Sequence, residues 1–235
     1  MRSPMRASFP SVFFTTFAAG TAVLSGCAWR TGTSAPNVSP AALVAGLGGT
    51  YTNAPQYEAA PTALKVAPSV QGEWLDLQHA QFVRVDAPAI GANVLYLEWR
   101  SGSQTGQVSR QRIWSFRQDA SGTTRMDFFA FVDGTAWIGQ GKTANAFKTL
   151  ALDKLRGYGD RCALTFASEG QSVVGHISGK ECSITAASGR RMAIDARVVL
   201  LADGSVQYRE SGQLEDGRYA FRVPPTEPYQ FVRTP

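Results

Sequence analysis

Histidine is the scarcest chemistry-bearing residue in this sequence: there are two, His79 and His176, and neither stands beside a serine or cysteine motif. No Gly-x-Ser-x-Gly occurs either, so no hydrolytic triad can be assembled from the sequence. Phosphate-loop and dinucleotide fingerprints are absent. The three cysteines, Cys27, Cys162 and Cys182, have no zinc-site spacing with respect to each other or to the histidines. Lysine and arginine are scattered without a block that would read as a nucleic-acid arm. Beyond the N-terminus no apolar run approaches membrane-spanning length, and no strand–helix–strand alternation or internal repeat is visible, which argues against a doubly wound fold.

What is present begins at the N-terminus. Arg2 and Arg6 precede an apolar stretch from Val12 to Leu24 that is too short for a permanent span. It ends in Leu24-Ser25-Gly26-Cys27, which resembles the bacterial lipobox: two small residues fit a peptidase cleft, and the Cys27 thiol accepts the diacylglycerol. Residues 1–26 are thus expected to be an export signal, and Cys27 the site of lipidation. Ala28, in place of aspartate, suggests the outer membrane facing the periplasm. Arg2 and Arg6 leave with the signal and no acid does, so the formal charge falls from +5 to +3. Residues 27–40 are small, polar and proline-bearing and read as a flexible tether. Residues 41–235 are long enough for one domain with a substantial core. With Cys27 consumed, Cys162 and Cys182 are an even pair in an oxidising compartment, and a disulfide is favoured over a metal site.

Ser39 can cap a short helix with Pro40 at its first position, running to about Leu47 and stopped by Gly48-Gly49. Alternation then dominates: residues 81–85, 93–100, 108–118, 123–132, 161–167, 172–177, 191–201, 205–210 and 229–233 read as strands. Asp203-Gly204 and Asp216-Gly217 read as hairpin turns. One further helix is expected from Thr143 to Arg156, with Phe147, Leu150, Leu152 and Leu155 roughly on one face. The class is all-β with one or two short helices, an antiparallel calycin- or lipocalin-like barrel or a sandwich.

The densest chemistry lies in residues 93–100 and 108–116. A hairpin turning near Gln104 would set residue 98 opposite 110 and 96 opposite 112. Tyr96, Glu98, Arg110, Arg112 and Trp114 would then share one face, with Leu95, Leu97, Trp99 and Ile113 on the other. A one-residue slip would separate them. Two arginines, a carboxylate and two aromatics suit a flat acidic ligand. Taken alone, the same residues fit an ordinary cross-strand ion pair at least as well. Tyr51, Asn53 and Gln56 form a second polar-aromatic cluster, which by itself reads as a turn held by amide side chains.

At these residues the chain resembles the CpcT/CpeT family of phycobiliprotein chromophore lyases. Gly49, Tyr51, Asn53 and Gln56 match a Gly-x-Tyr-x-Asn-x-x-Gln motif. Tyr96-Leu97-Glu98 and Arg110-Gln111-Arg112 stand where that family has a Tyr-x-Glu strand followed by Arg-Gln-Arg. Cys162, Cys182, Gly212 and Phe231-Val232-Arg233 extend the likeness over residues 43–233. Trp99, Ser109 and Trp114 depart from it. The resemblance implies a calycin-like barrel, often a homodimer, whose cavity holds an open-chain tetrapyrrole (bilin), and a lyase activity that attaches it to a protein cysteine. It also implies that Tyr51, Asn53, Gln56, Tyr96, Glu98, Arg110, Arg112 and Trp114 line the ligand site. No cofactor is required and no nucleic-acid partner is expected; the partners are a small amphipathic ligand and, through the anchor, a membrane. The competing expectation is a non-catalytic lipocalin-like carrier or envelope-structure protein, with a cavity filled by its own side chains.

Overall fold

The computed structural model describes residues 38–177, 181–185, 189–225 and 227–235. The expected lipidation site, Cys27, lies outside them. The first described element is the short helix α1 (Pro40–Leu47): the Ser39 hydroxyl accepts from the Ala42 N–H at 3.2 Å, Pro40 opens the helix and Gly48 ends it.

The strands are β1 (Gly49–Thr52), β2 (Gln78–Ala87), β3 (Gly91–Ser101), β4 (Val108–Gln118), β5 (Thr124–Phe131), β6 (Leu155–Gly157), β7 (Leu164–Glu169), β8 (Ser172–Ile177), β9 (Ser183–Thr185), β10 (Arg191–Leu200), β11 (Val206–Leu214), β12 (Tyr219–Val223) and β13 (Tyr229–Arg233). Ten of them close on themselves in the order β11-β13-β1-β2-β3-β4-β5-β7-β8-β10-β11, with antiparallel neighbours throughout. Closure pairs the backbone groups that an open sheet would leave at its edges. Strands β6, β9 and β12 add short pairings to β5, β10 and β11. The expected turns join β10 to β11 and β11 to β12. Gly204 and Gly217 both sit at φ 81°, which only glycine adopts freely, and Asp203 and Asp216 accept from the N–H two residues on.

The barrel interior is one core. Alternate residues of each strand meet there, among them Phe82, Leu97, Trp99, Trp114, Phe116, Met126, Phe166, Val198, Tyr208 and Phe231. Helix α1 closes one end with Leu43, Val44 and Leu47 buried in this core. The Thr124 hydroxyl, at the start of β5, donates to the Val38 carbonyl.

A second, smaller core lies on the outer wall, where residues 132–154 run across β2–β5 and cover Val94, Tyr96 and Ile113. The helix expected over residues 143–156 is not formed. Its place is taken by single 3₁₀ turns, Ala146–Thr149 and Leu152–Lys154, followed by β6. Asn145 sits in left-handed backbone at φ 61°, which no continuous helix allows. Phe147 and Leu150 are buried against the barrel while Leu152 is 57% exposed, so the spacing that suggested a helix face serves an irregular cover. Because β3 is covered on both sides, every residue from Val94 to Trp99 is buried and its alternation is hidden.

Candidate ligand-binding site

The β3–β4 hairpin decides which side chains meet. Next to the turn, Arg100 pairs with Val108, as a turn near Gln104 requires. One residue further the register shifts, so that Trp99 faces Arg110, Leu97 faces Arg112 and Leu95 faces Trp114. Ser109 is the extra residue of this bulge; its hydroxyl donates to Gln78 Oε1 at 2.7 Å. The inserted residue sets each β4 side chain on the other side of the sheet from the β3 residues expected beside it. Tyr96 and Glu98 therefore do not share a face with Arg110, Arg112 and Trp114. The two arginines and Trp114 point into the barrel beside Leu95, Leu97 and Trp99, whereas Tyr96, Glu98 and Ile113 point outward.

Inside, the counter-ion is Glu210 of β11 rather than Glu98. Arg110 Nη1 forms a short ion pair with Glu210 Oε2 and donates to the Tyr208 hydroxyl at 3.0 Å, and Tyr208 in turn donates to Glu210. The Arg110 guanidinium also lies over the rings of Trp99 and Tyr208, 5.3 and 5.6 Å from their centroids. Arg112 donates to the Gln111 carbonyl at 2.8 Å and lines the same small internal space as Glu210. Burial would raise the Glu210 carboxyl, but Arg110, Arg112 and the Tyr208 hydrogen bond outweigh it and hold it below the ordinary carboxylate value. Burial, reinforced by Glu210, pushes the Tyr208 phenol up despite Arg110, so it stays a neutral donor. The space left beside this cluster is only about 10 Å³, so the barrel centre is filled by its own side chains.

Open volume lies at the end away from α1. A pocket of about 260 Å³ is bounded by Trp99 and Arg110, by Tyr229 at the start of β13, by Phe221 and Arg222 of β12, and by the loop 65–74. Asp76 at its floor is already satisfied: it accepts from the Tyr229 hydroxyl and, at 2.6 Å, from Gln78 Nε2. Two donors of the lining are not. The indole N–H of Trp99, a residue only 1% exposed, and the Nε–H of Arg222 are both buried without an acceptor. Each such group costs about 1–3 kcal/mol. Both atoms are sealed from solvent, so neither faces the open space of the pocket.

The remaining sequence-derived site residues hold backbone. The Tyr51 hydroxyl donates to the Leu47 carbonyl at the end of α1 (2.9 Å). Asn53 is fully buried; it donates to the Asp76 carbonyl and accepts from the Gln78 N–H. Gln56, on the short helix α2 (Ala54–Ala59), donates to the Pro228 carbonyl and accepts from the Gln230 N–H. On the outer wall, Glu98 Oε2 accepts from the Gly139 N–H and lies 2.6 Å from the Tyr96 hydroxyl, while Arg100 pairs with Oε1. Tyr96 also lies 2.7 Å from the Trp137 carbonyl and accepts from Gln111. Burial raises the Glu98 carboxyl less than these donors lower it, so it is an anion that pins the 132–154 cover. The pocket residues that sequence reasoning missed are Trp99, Tyr208, Glu210, Arg222 and Tyr229. Parity in β11, which puts Tyr208 and Glu210 on one face, was the available signal.

No protein-family model matches this sequence, and comparison with curated proteins finds no match. Among solved structures the fold is similar to that of the selenomethionine-labelled CRL protein of Arabidopsis, with a TM-score of 0.63, 13% identity, and coverage of 84% of this chain and 100% of that one. At that identity the likeness shows a shared barrel fold.

Proposed function

We propose that this protein is an envelope lipoprotein, held through Cys27, whose barrel mouth binds an acidic amphipathic small molecule of the bilin type. The observation that supports the reading is the pocket lined by the guanidinium donors of Arg110 and Arg222 and by the aromatic side chains of Trp99, Phe221 and Tyr229. Carboxylates satisfy such donors, and flat conjugated bodies stack on such rings. Small-molecule sites span about 300–1,000 Å³. A pocket of about 260 Å³ therefore takes one carboxylate-bearing end of a tetrapyrrole, or a smaller acidic aromatic whole. Attachment of such a chromophore to an acceptor protein is the further step that the CpcT/CpeT resemblance suggests, and it would occur at this mouth.

Titration of biliverdin into the detergent-solubilised protein, followed by visible absorbance against a detergent blank, tests the binding. Arg110→Lys keeps the charge beside Glu210 but loses the planar fork, and is expected to weaken binding about tenfold. Absence of binding to the unmutated protein, or equal affinity in the variant, would remove the reading. The anchor is tested separately. Cells supplied with radiolabelled palmitate should label the protein, and Cys27→Ser should abolish the label; persistent labelling of the variant would place the lipid elsewhere, and an unlabelled original protein would remove the anchor.

A further inference from the structure

A second polar pocket, of about 240 Å³, lies on the outer wall where the 132–154 cover meets β1, β2 and β3. Across those strands Thr50 pairs with Gln81, Gln81 with Glu98, and His79 with Arg100, so these side chains stand on one face. Lys142 comes to the same place from the cover. The Gly139 N–H on Glu98 seats its turn, and Gly141 lets the turn lie close to the wall. A Cβ at Gly141 would stand 3.1 Å from the Tyr96 ring and 3.2 Å from the Val83 side chain.

Glu98 and Arg100 satisfy each other here. Arg100 Nε and Nη2 lie 2.8 and 2.6 Å from Glu98 Oε1, and Nη1 donates to the Gly106 carbonyl at 3.0 Å. Lys142 has no such partner. The other lysines of the cover have carboxylates, Lys148 with Asp86 at 3.7 Å and Lys154 with Asp153 at 3.5 Å. No carboxylate of the described residues lies within 4 Å of Lys142. His79 supplies a second donor. Its Nδ1 is sealed without a partner, and an orphaned acceptor costs less than an orphaned N–H, so the ring carries a proton on Nε2.

We propose that this pocket is a phosphate-binding site, in which Lys142 and the His79 Nε2–H hold two oxygens of one phosphate group. A planar carboxylate is held best by a guanidinium fork, and the fork of Arg100 is occupied by Glu98. What remains is an ammonium and an imidazole from two different elements, single-point donors that suit a tetrahedral ion. Thr50, Gln81 and Gln104 line the rest of the space, which leaves room for a small polar body esterified to the phosphate. Thr50 and Gln104 are exposed, so the ligand enters with the cover in place. Because the site exists only while the cover lies on the wall, bound phosphate must stabilise the seated cover.

Amide hydrogen exchange of residues 139–143, followed against rising inorganic phosphate and, separately, glycerol phosphate, tests the site. Both should slow exchange there, and sodium chloride at matched ionic strength should not. Lys142→Gln should raise the concentration for half-protection about tenfold, the scale of a lost charged hydrogen bond. His79→Ala should raise it severalfold. Lys148→Gln removes a cation of the same cover that already has Asp86, and should leave it unchanged. Half-protection at a lower concentration of glycerol phosphate identifies an ester as the ligand; the reverse order identifies the free ion. No protection by either phosphate, equal protection by chloride, or a Lys148→Gln effect as large as that of Lys142→Gln would overturn the site and leave the reading of the barrel mouth standing.

Discussion

Glu210→Ala should destabilise the protein by about 3–5 kcal/mol, the range for removing one partner of a buried ion pair. The reason is what stays behind. Arg110, with a side chain only 10% exposed, would face Arg112 inside a barrel filled by aromatic rings, with the Tyr208 hydroxyl as its remaining partner. The loss should appear as a lower urea midpoint at an unchanged slope. Replacing all three charges, in Arg110→Met, Arg112→Met and Glu210→Leu together, should come close to the original stability, because the desolvation cost of the ions disappears with them. The acid limb of stability carries the same signature. Glu210 is held below its ordinary 4.5 in the folded protein, so its contribution is complete above that value and is lost as pH falls through the lower folded value. Glu210→Gln should flatten that part of the acid limb. A cost below about 1 kcal/mol would mean that the arginines are balanced elsewhere.

This cluster also shows where the sequence was readable and where it was not. The long strands β2, β4, β5, β10 and β11 are legible from alternation and turn residues, and α1 from Ser39, Pro40 and Gly48, because these signals are local. The short strands β1, β9 and β12 have three to five residues each, too few for a period to declare itself. The interior site failed on a single residue. Ser109 is an unremarkable polar residue in a polar strand, yet as a bulge it reverses the facing of Arg110, Arg112 and Trp114. With the reversal, Glu98 ceases to be their counter-ion. Its replacement, Glu210, lies 100 residues beyond Arg110 and becomes a neighbour only when the barrel closes. Both arginines enter the barrel, on the face of Leu95, Leu97 and Trp99 rather than on that of Tyr96 and Glu98. Glu210, from the far wall, neutralises one of the two guanidiniums, so one positive charge of the pair is left inside the barrel.

Removing the Cys162–Cys182 disulfide should cost about as much as the lower end of the Glu210 effect, roughly 3 kcal/mol in the chain-entropy model. The bond joins residues 20 apart, and the loop that it closes contains the whole β7–β8 hairpin. Its two ends are seated independently of it. Cys162 ends a 3₁₀ turn, with its N–H on the Gly159 carbonyl, and the Cys182 carbonyl accepts from Ile194 of β10, both at 2.9 Å. Both cysteines are buried in the barrel core, and β8 is paired to β10 with or without them. The folded barrel thus loses few contacts on reduction; the larger change is in the unfolded chain, which recovers the freedom of that loop. Three results should follow. Cys162→Ala, Cys182→Ala and the double variant should lose nearly the same stability, because one bond disappears in each and the effects cannot add. Dithiothreitol should lower the urea midpoint of the unmutated protein to theirs, and leave the double variant unmoved. Amide exchange of β9, tied to β10 by three paired residues, should rise before that of β7 or β8. A double variant as stable as the original protein would show that the unfolded chain already keeps this hairpin closed, and that the bond adds a link without removing freedom.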